Sequence, residues 1–326
     1  MNKTVRNGYQ NIANLFDENV KGFHFYDVDF CFSNFNKGVK VGVISNISVT
    51  HLSVGQTNSE WEKNRIQFSK KNKRLLPVIT DYEYSNKPRK VKNQPLVSIV
   101  MPIYNYGDRL NHSLKSVFNQ DYTNYEIIIV DDGSIDEYLT LKLPELDKLE
   151  NVRVIRKENG GPSSARNLGI KESNGEFILP LDADDMILNG YIKTCVSILS
   201  KDKDISPVYC DTIHAGQTNG IEKRPNWSKE QLIKGPFIVN CSMFTKKAFD
   251  DCGGYDEDLI GWEDYDLWLR MMKNGYTGKR IPKPLFVYFH HENDGTVSTK
   301  ANQNQQELYH NIMSKNFEIE NGKILV

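Results

Sequence analysis

The sequence lacks the features that mark several common classes of protein. No apolar run approaches the about eighteen residues needed to span a membrane, and residues 1–6 lack the apolar core of a signal peptide. The 41 Lys and Arg nearly balance the 42 Asp and Glu, so no overall field attracts nucleic acid or an anionic membrane. The five cysteines form no CxxC pair, which favours reduced thiols over zinc binding. These absences predict a cytoplasmic protein, at most peripheral to a membrane, without a nucleic-acid partner.

A basic stretch separates the first part of the chain from the rest. Residues 63–92 contain ten Lys or Arg, two acids, and the interrupting prolines Pro77 and Pro88. This composition predicts a solvated linker over 76–94, and a docking patch for anionic lipid or a partner remains the alternative.

The first part of the chain echoes a segment near its end. Residues 16–23 resemble 255–262, residues 26–30 match 263–267 after a two-residue insertion, and both segments continue to a histidine, His51 or His290-His291. Such self-similarity indicates a structural repeat. We therefore expect 1–75 to be a small α+β segment, the C-terminal portion of a similar domain, and not an independent enzyme. The remaining boundaries are predicted as a main domain over 95–310 and a C-terminal tail over 311–326.

After the linker, short apolar runs alternate with stretches of helical periodicity. The runs 97–101, 126–130, 152–155 and 176–181 predict strands, whereas 108–119, a stretch ending near 149, and 163–173 predict helices. This order predicts an α/β fold with a mostly parallel sheet flanked by helices. Ligands of such sheets gather at the carboxyl ends of the strands.

Two acidic clusters stand out against this pattern. Residues 182–185 follow the fourth predicted strand, and 263–266 begin an amphipathic helix that runs to 275. Crowded carboxylates repel one another unless a cation, a proton or a hydroxyl donor relieves them. We therefore expect the two clusters to face each other across one pocket and to act on one ligand.

Five motifs along 95–300 together resemble the family 2 glycosyltransferases with the GT-A fold. Each motif alone is a weak signal, but their order and spacing are those of the family. They are PIYN at 102–105, VDDGS at 130–134, NGGPSSARN at 159–167, DADD at 182–185 and WED at 262–264.

The resemblance implies a nucleotide-sugar site formed by the first four motifs. Tyr104 offers an aromatic face for stacking. Asp132 would accept a hydrogen bond from the imide N–H of uracil, although the sequence DDGS is also typical of a turn. The glycine pair lets the backbone approach a ligand, and Arg166 would reach a phosphate or form a structural salt bridge. The expected donor-binding residues are Pro102, Tyr104, Asn105, Asp132, Gly161, Arg166, Asp182 and Asp184.

The aspartate cluster is also the candidate metal site. Hard divalent cations prefer carboxylate and phosphate oxygens, so the resemblance implies Mn2+ or Mg2+ held by Asp184, Asp185 and His291. Which of His290 and His291 faces the site stays open. An EF-hand would need glycine where Ile187 stands, and an aspartyl-phosphate phosphatase would need a hydroxyl residue in place of Met186.

The WED motif is the candidate catalytic centre. The resemblance implies that Asp264, beside Glu263, takes the proton of the acceptor hydroxyl; acids that merely favour the helix dipole are the competing interpretation. Trp262 either stacks against a sugar ring of the acceptor or packs in the core, and Asn240 is a candidate acceptor contact.

The implied function is inverting, metal-dependent transfer of a hexosyl or N-acetylhexosaminyl group from a UDP-sugar to a hydroxyl group. The acceptor would be a glycan or lipid-linked glycan in surface polysaccharide or glycan biosynthesis. Two other functions remain as alternatives. A sugar nucleotidyltransferase would need a glycine-rich, basic first loop, which 104–108 is not, and a non-catalytic glycan- or nucleotide-sugar-binding module would bind without turnover.

Overall fold

The computed structural model describes residues 94–105, 107–290, 305–320 and 323–325. The predicted segment 1–75, most of the predicted linker, and His291 lie outside these described residues. In chain order the elements are β1 (Val97–Ile103), α1 (Gly107–Phe118), β2 (Tyr125–Asp131), α2 (Glu137–Leu146), β3 (Val152–Arg156), α3 (Gly161–Lys171), β4 (Phe177–Pro180), β5 (Met186–Ile187), α4 (Tyr191–Leu199), β6 (Ile205–Gly216), β7 (Gly220–Glu222), α5 (Lys229–Lys234), β8 (Phe244–Thr245), α6 (Lys246–Asp251), α7 (Glu263–Lys273), β9 (Thr277–His290), α8 (Gln305–Asn316), β10 (Glu318–Glu320) and β11 (Lys323–Leu325).

The main sheet has five strands in the order β3-β2-β1-β4-β8. The first four are parallel, and the short β8 pairs antiparallel with β4. The side chains of β1, β2 and β4 are buried on both faces, as in a sheet covered by helices, which explains the unbroken apolar runs of β1 and β2. The predicted α/β fold with a mostly parallel sheet is confirmed, and the four predicted strands coincide with β1 to β4.

Helix α3 packs against β1 and β2 at unusually short range. A Cβ atom at Gly169 would lie 2.4 Å from Val100 Cγ1, so only glycine allows this approach. Because α3 follows the glycine pair 160–161, this packing fixes the start of the helix relative to the carboxyl ends of the neighbouring strands.

A second sheet has the order β5-β9-β6-β7. Strands β6 and β9 run parallel, whereas β5 and β7 are antiparallel to their neighbours. The sequence interpretation did not predict this sheet. Pro282 and Pro284 interrupt the apolar pattern that would mark β9 as a strand. The pairing of β6 with β9 shifts register around Asp211, which lies opposite Pro284.

Helix α7 confirms the predicted helix after the WED motif and is buried almost all round. Its apolar side chains pack against β8, α5 and α8, with Trp268 at the centre of the cluster. The predicted boundary between 310 and 311 falls inside α8, because Ile312 and Met313 pack into this core. Of the helices in the described ranges, none is long and apolar enough to cross a membrane.

Candidate active site

The loops after β1 and β2 are tied together. Asn105 adopts a left-handed conformation with φ of 61°, which asparagine tolerates better than most residues. Its N–H donates to Ser134 Oγ over 3.0 Å, and its Oδ1 accepts from the N–H of Ile135 over 2.8 Å. Tyr104 is 45% exposed, and Pro102 lies within β1. The first two motifs therefore form one rigid edge beside an accessible aromatic ring.

Asp132 is buried beneath the glycine pair. Its Oδ1 accepts from Lys157 Nζ at 2.8 Å and from Gly160 N–H at 3.0 Å, and its Oδ2 accepts from Gly161 N–H at 2.8 Å. Gly161 has φ of +88°, a conformation that other residues rarely adopt. The carboxylate therefore holds the loop that begins α3. Lys157 was missed by the sequence interpretation because it precedes the motif.

Arg166 connects the two acidic clusters. Its Nη2 donates to Asp182 Oδ1 over 2.7 Å, and its Nη1 donates to Glu263 Oε1 over 2.6 Å. The residue is 4% exposed. Burial opposes its charge, but the carboxylates of Asp182 and Glu263 outweigh this and raise the pKa of Arg166. The clusters thus lie on either side of one guanidinium group, and Arg166 forms the structural salt bridge that the sequence left as one of two roles.

The aspartate loop turns tightly after β4, where the N–H of Asp185 donates to the carbonyl of Asp182. Asp184 is partly exposed, and its Oδ2 lies 3.7 Å from Arg109 Nη1. Asp185 is buried, and its Oδ1 accepts from the N–H of Phe289 over 3.2 Å. Burial, followed by the charges of Asp184 and Asp182, raises the pKa of Asp185. An added cation would relieve this crowding of negative charge.

The described residues contain no group of three or more His, Cys, Asp or Glu side chains that could hold a metal ion by itself. The donor set still suits a hard cation. Mg2+ is usually bound by one or two carboxylates together with substrate phosphates and water. The candidate ligand His291 lies outside the described residues.

The candidate base lies at the start of α7. Trp262 caps the helix in a left-handed conformation with φ of 57°, and Asp264 Oδ1 accepts from the N–H of Tyr265 over 2.8 Å. Burial and then the neighbouring charge of Glu263 raise the pKa of Asp264 to about 7. A carboxyl group with such a pKa suits proton abstraction near neutral pH.

Tyr255 connects the candidate acceptor residue Asn240 to Arg166. The Tyr255 ring lies 5.7 Å from that group, and the Tyr255 O–H donates to Asn240 Oδ1 over 3.1 Å. Trp262 is half-buried and packs edge-to-face on Tyr265. Tyr255 was not among the predicted site residues because a lone tyrosine before an acidic stretch has no distinctive pattern.

Comparison with known proteins identifies the family. The model of glycosyl transferase family 2 matches residues 98–254, and that of the N-terminal domain of galactosyltransferase matches 237–294. A glycosyltransferase of Rickettsia prowazekii is 33% identical over 239 residues, 68% of this chain and 71% of that protein. The chain belongs to the family 2 glycosyltransferases. Both the predicted family and the predicted enzyme class are confirmed.

Other relatives of this glycosyltransferase are longer. The chondroitin synthase of Escherichia coli is 27% identical over 271 residues, 81% of this chain and 39% of that protein. The hyaluronan synthase of Pasteurella multocida is 26% identical over 279 residues, 81% of this chain and 28% of that protein. The chain therefore spans well under half of either synthase.

A solved structure confirms the GT-A fold. Residues 1–349 of S. aureus TarS, in complex with UDP-GlcNAc, superpose with a TM-score of 0.54 at 21% identity. The match covers 63% of this chain and 61% of that one.

Proposed function

We propose that this glycosyltransferase moves a sugar from a UDP-sugar to a hydroxyl group of a growing surface polysaccharide, with inversion at the anomeric carbon. The longer relatives are named as synthases of chondroitin and hyaluronan, which supports a polysaccharide acceptor. The TarS complex with UDP-GlcNAc supports a uridine nucleotide as the leaving group.

The observation that carries this proposal is the double contact of Arg166. Its guanidinium group contacts the aspartate loop, which is proposed to hold the donor, and the start of α7, which carries the proposed base. Both contacts are shorter than 3 Å. An in-line displacement needs the acceptor oxygen and the leaving diphosphate on opposite sides of the anomeric carbon. Asp264 would take the acceptor proton on one side, and the aspartate loop would face the diphosphate on the other.

The nucleotide part of the donor is assigned to the edge formed by the loops after β1 and β2. Tyr104 would stack on the base, while Asn105 and Asp132 would hold the loops around it. Ser163, in the first turn of α3, supports this assignment. Its Oγ is buried and has no hydrogen-bond partner among the described residues, a state that a bound polar ligand would relieve.

Asp184 and Asp185 would hold Mn2+ or Mg2+ when the donor binds, with His291 as a further candidate ligand. The cation would neutralise charge on the departing diphosphate. Asp182 is already bonded to Arg166, so its contribution would be to keep the loop in place.

The test uses the purified chain with a panel of UDP-sugars and oligosaccharide acceptors, with either Mn2+ or EDTA. We expect UDP release that depends on acceptor and cation, and a product of inverted configuration by NMR. Asp264→Asn should lower kcat by about 10²- to 10⁴-fold, whereas the exposed control Asp258→Asn should not. Full transfer by Asp264→Asn would refute the assigned base. Binding of UDP-sugars without UDP release under every condition would refute the proposed reaction.

A further inference from the structure

Helix α1 holds the main chain at both ends of the aspartate loop, residues 182–185. Ser113 Oγ donates to the carbonyl of Asp182 over 3.2 Å, and Ser116 Oγ accepts from the N–H of Ile187 over 3.2 Å. Gln120 Nε2, just past the end of α1, donates to the carbonyl of Ile187 over 3.3 Å. Positions 113, 116 and 120 are spaced by three and four residues, so they lie on one face of the helix. Hydrogen bonds to the backbone therefore fix the position of the loop.

Arg109 extends this face of α1 by one turn toward the start of the helix. It contacts a side chain of the loop, because its Nη1 lies 3.7 Å from Asp184 Oδ2, a distance longer than a hydrogen bond. The side chain of Arg109 is 20% exposed and that of Asp184 is 29% exposed, so water reaches both charges. Arg109 belongs to none of the five motifs, which is why the sequence interpretation did not single it out.

The two arginines beside the aspartate loop differ in how firmly they are held. Arg166 is 4% exposed and donates hydrogen bonds of 2.7 and 2.6 Å to Asp182 and Glu263. Breaking a buried pair of this kind is strongly destabilising, whereas a long ion pair that water reaches contributes little to stability. The pair of Arg109 and Asp184 can therefore open while the contacts of Arg166 stay in place.

Asp184 has two cations to serve. It is a proposed ligand of Mn2+ or Mg2+, and like charges within about 4–6 Å oppose one another, so the divalent cation and the guanidinium of Arg109 compete for this carboxylate. A donor brings a diphosphate, whose oxygens suit the planar fork of a guanidinium. Donor binding would therefore offer Arg109 another anionic partner and leave Asp184 to the cation.

We propose that Arg109 couples cation binding to donor binding. Without a donor, its guanidinium neutralises Asp184 and opposes the cation. When the donor binds, the guanidinium pairs with the diphosphate and releases Asp184. This inference rests on the proposed function, because it requires a donor that brings a diphosphate to the aspartate loop. It makes Arg109 a donor-binding residue that lies outside the motifs.

The test measures Mn2+ binding to the whole chain by electron paramagnetic resonance, without nucleotide and with saturating UDP. Arg109→Met should bind Mn2+ without nucleotide about tenfold more tightly than the wild type, because the opposing charge is gone. By linkage, UDP tightens Mn2+ binding by the factor by which Mn2+ tightens UDP binding, and this factor should fall about tenfold or more in the variant. The matched control is Arg153→Met, whose arginine pairs with Glu172 at the surface and which should bind as the wild type does.

The direction of the change separates this role from a structural one. A residue that only held the loop in place would lower Mn2+ affinity when removed, whereas the proposal requires a rise. Arg109→Gln, which removes the charge but keeps hydrogen-bonding groups, should show the same rise even if Arg109→Met folds poorly. Mn2+ affinity without nucleotide that is within twofold of the wild type, or lower, in either folded variant would overturn the proposal, as would an unchanged enhancement by UDP. Absence of UDP binding by the wild type would instead overturn the proposed function.

Discussion

Removing the Arg166 guanidinium should destabilise the protein through the carboxylates that it leaves behind. Arg166→Met keeps much of the side-chain volume but deletes both hydrogen bonds, to Asp182 and to Glu263. The carboxylate of Glu263 is then left in a buried site without the positive charge that balances it. Breaking a buried ion pair by removing one partner costs about 3–5 kcal/mol.

The structure favours the lower part of that range. The side chain of Asp182 is 32% exposed, so water can solvate its charge, whereas that of Glu263 is only 10% exposed. We therefore expect a loss of about 3 kcal/mol, mostly from Glu263. For a domain of about 150–250 residues this corresponds to a fall in melting temperature of about 6–12 °C.

The assay is urea and thermal denaturation of Arg166→Met, alone and combined with Glu263→Gln. The second substitution removes the stranded charge, so the double variant should recover about 1–2 kcal/mol relative to Arg166→Met. Arg153→Met is the matched control, because Arg153 pairs with Glu172 at the surface and should change stability by less than about 0.5 kcal/mol. A loss below about 1 kcal/mol in Arg166→Met, or a less stable double variant, would contradict this account of the guanidinium.

Three other predictions concern Asp264 and Gly169. Because Asp264 has a pKa of about 7 and must be ionised to act as the base, kcat/KM should fall about tenfold per pH unit below that value. Glu263→Gln removes the neighbouring negative charge and should shift the acidic limb of the kcat/KM profile to lower pH. An unchanged midpoint of that limb would contradict the contribution of Glu263 to the pKa of Asp264. The raised pKa of Asp264 favours the folded state below the unfolded pKa of about 3.9, and this advantage is lost as pH rises to about 7. Asp264→Asn should therefore raise the melting temperature more at pH 8 than at pH 5.5, and an equal rise at both would refute it. Gly169→Ala should cost about 1–3 kcal/mol in urea denaturation because its Cβ would meet Val100 at 2.4 Å, whereas Lys171→Ala, at an exposed position of the same helix, should cost far less.

The main sheet could be predicted because its signals are local. Each of the strands β1 to β4 is a short, mostly apolar run, the first three are followed by a helical period, and the turn after each strand carries its own motif. The second sheet could not, because β6 and β9 pair across a separation of more than sixty residues and two prolines interrupt the pattern of β9. Long-range pairing leaves no mark in a window of ten or fifteen residues.

The candidate site likewise combines residues that local motifs predict with residues that only the fold brings together. The two acidic clusters could be placed together from the order of the motifs, but the role of Arg166 depended on the position of Glu263, which is 97 residues away. Lys157 stands outside the motifs, and only the fold brings it to Asp132, which is 25 residues away.

The buried contacts of Arg166 also limit how the sequence of this glycosyltransferase can diverge. A neutral side chain in place of Arg166 would leave the buried carboxylate of Glu263 without its positive partner, and one in place of Glu263 or Asp182 would remove one of the two carboxylates that hold the guanidinium, so tolerated changes should occur jointly. Among homologues these positions should covary as a trio, although they lie on a loop, a helix and a second helix far apart along the chain. Chimaeras that exchange the aspartate loop between homologues should therefore fold best when the start of α7 is exchanged with it.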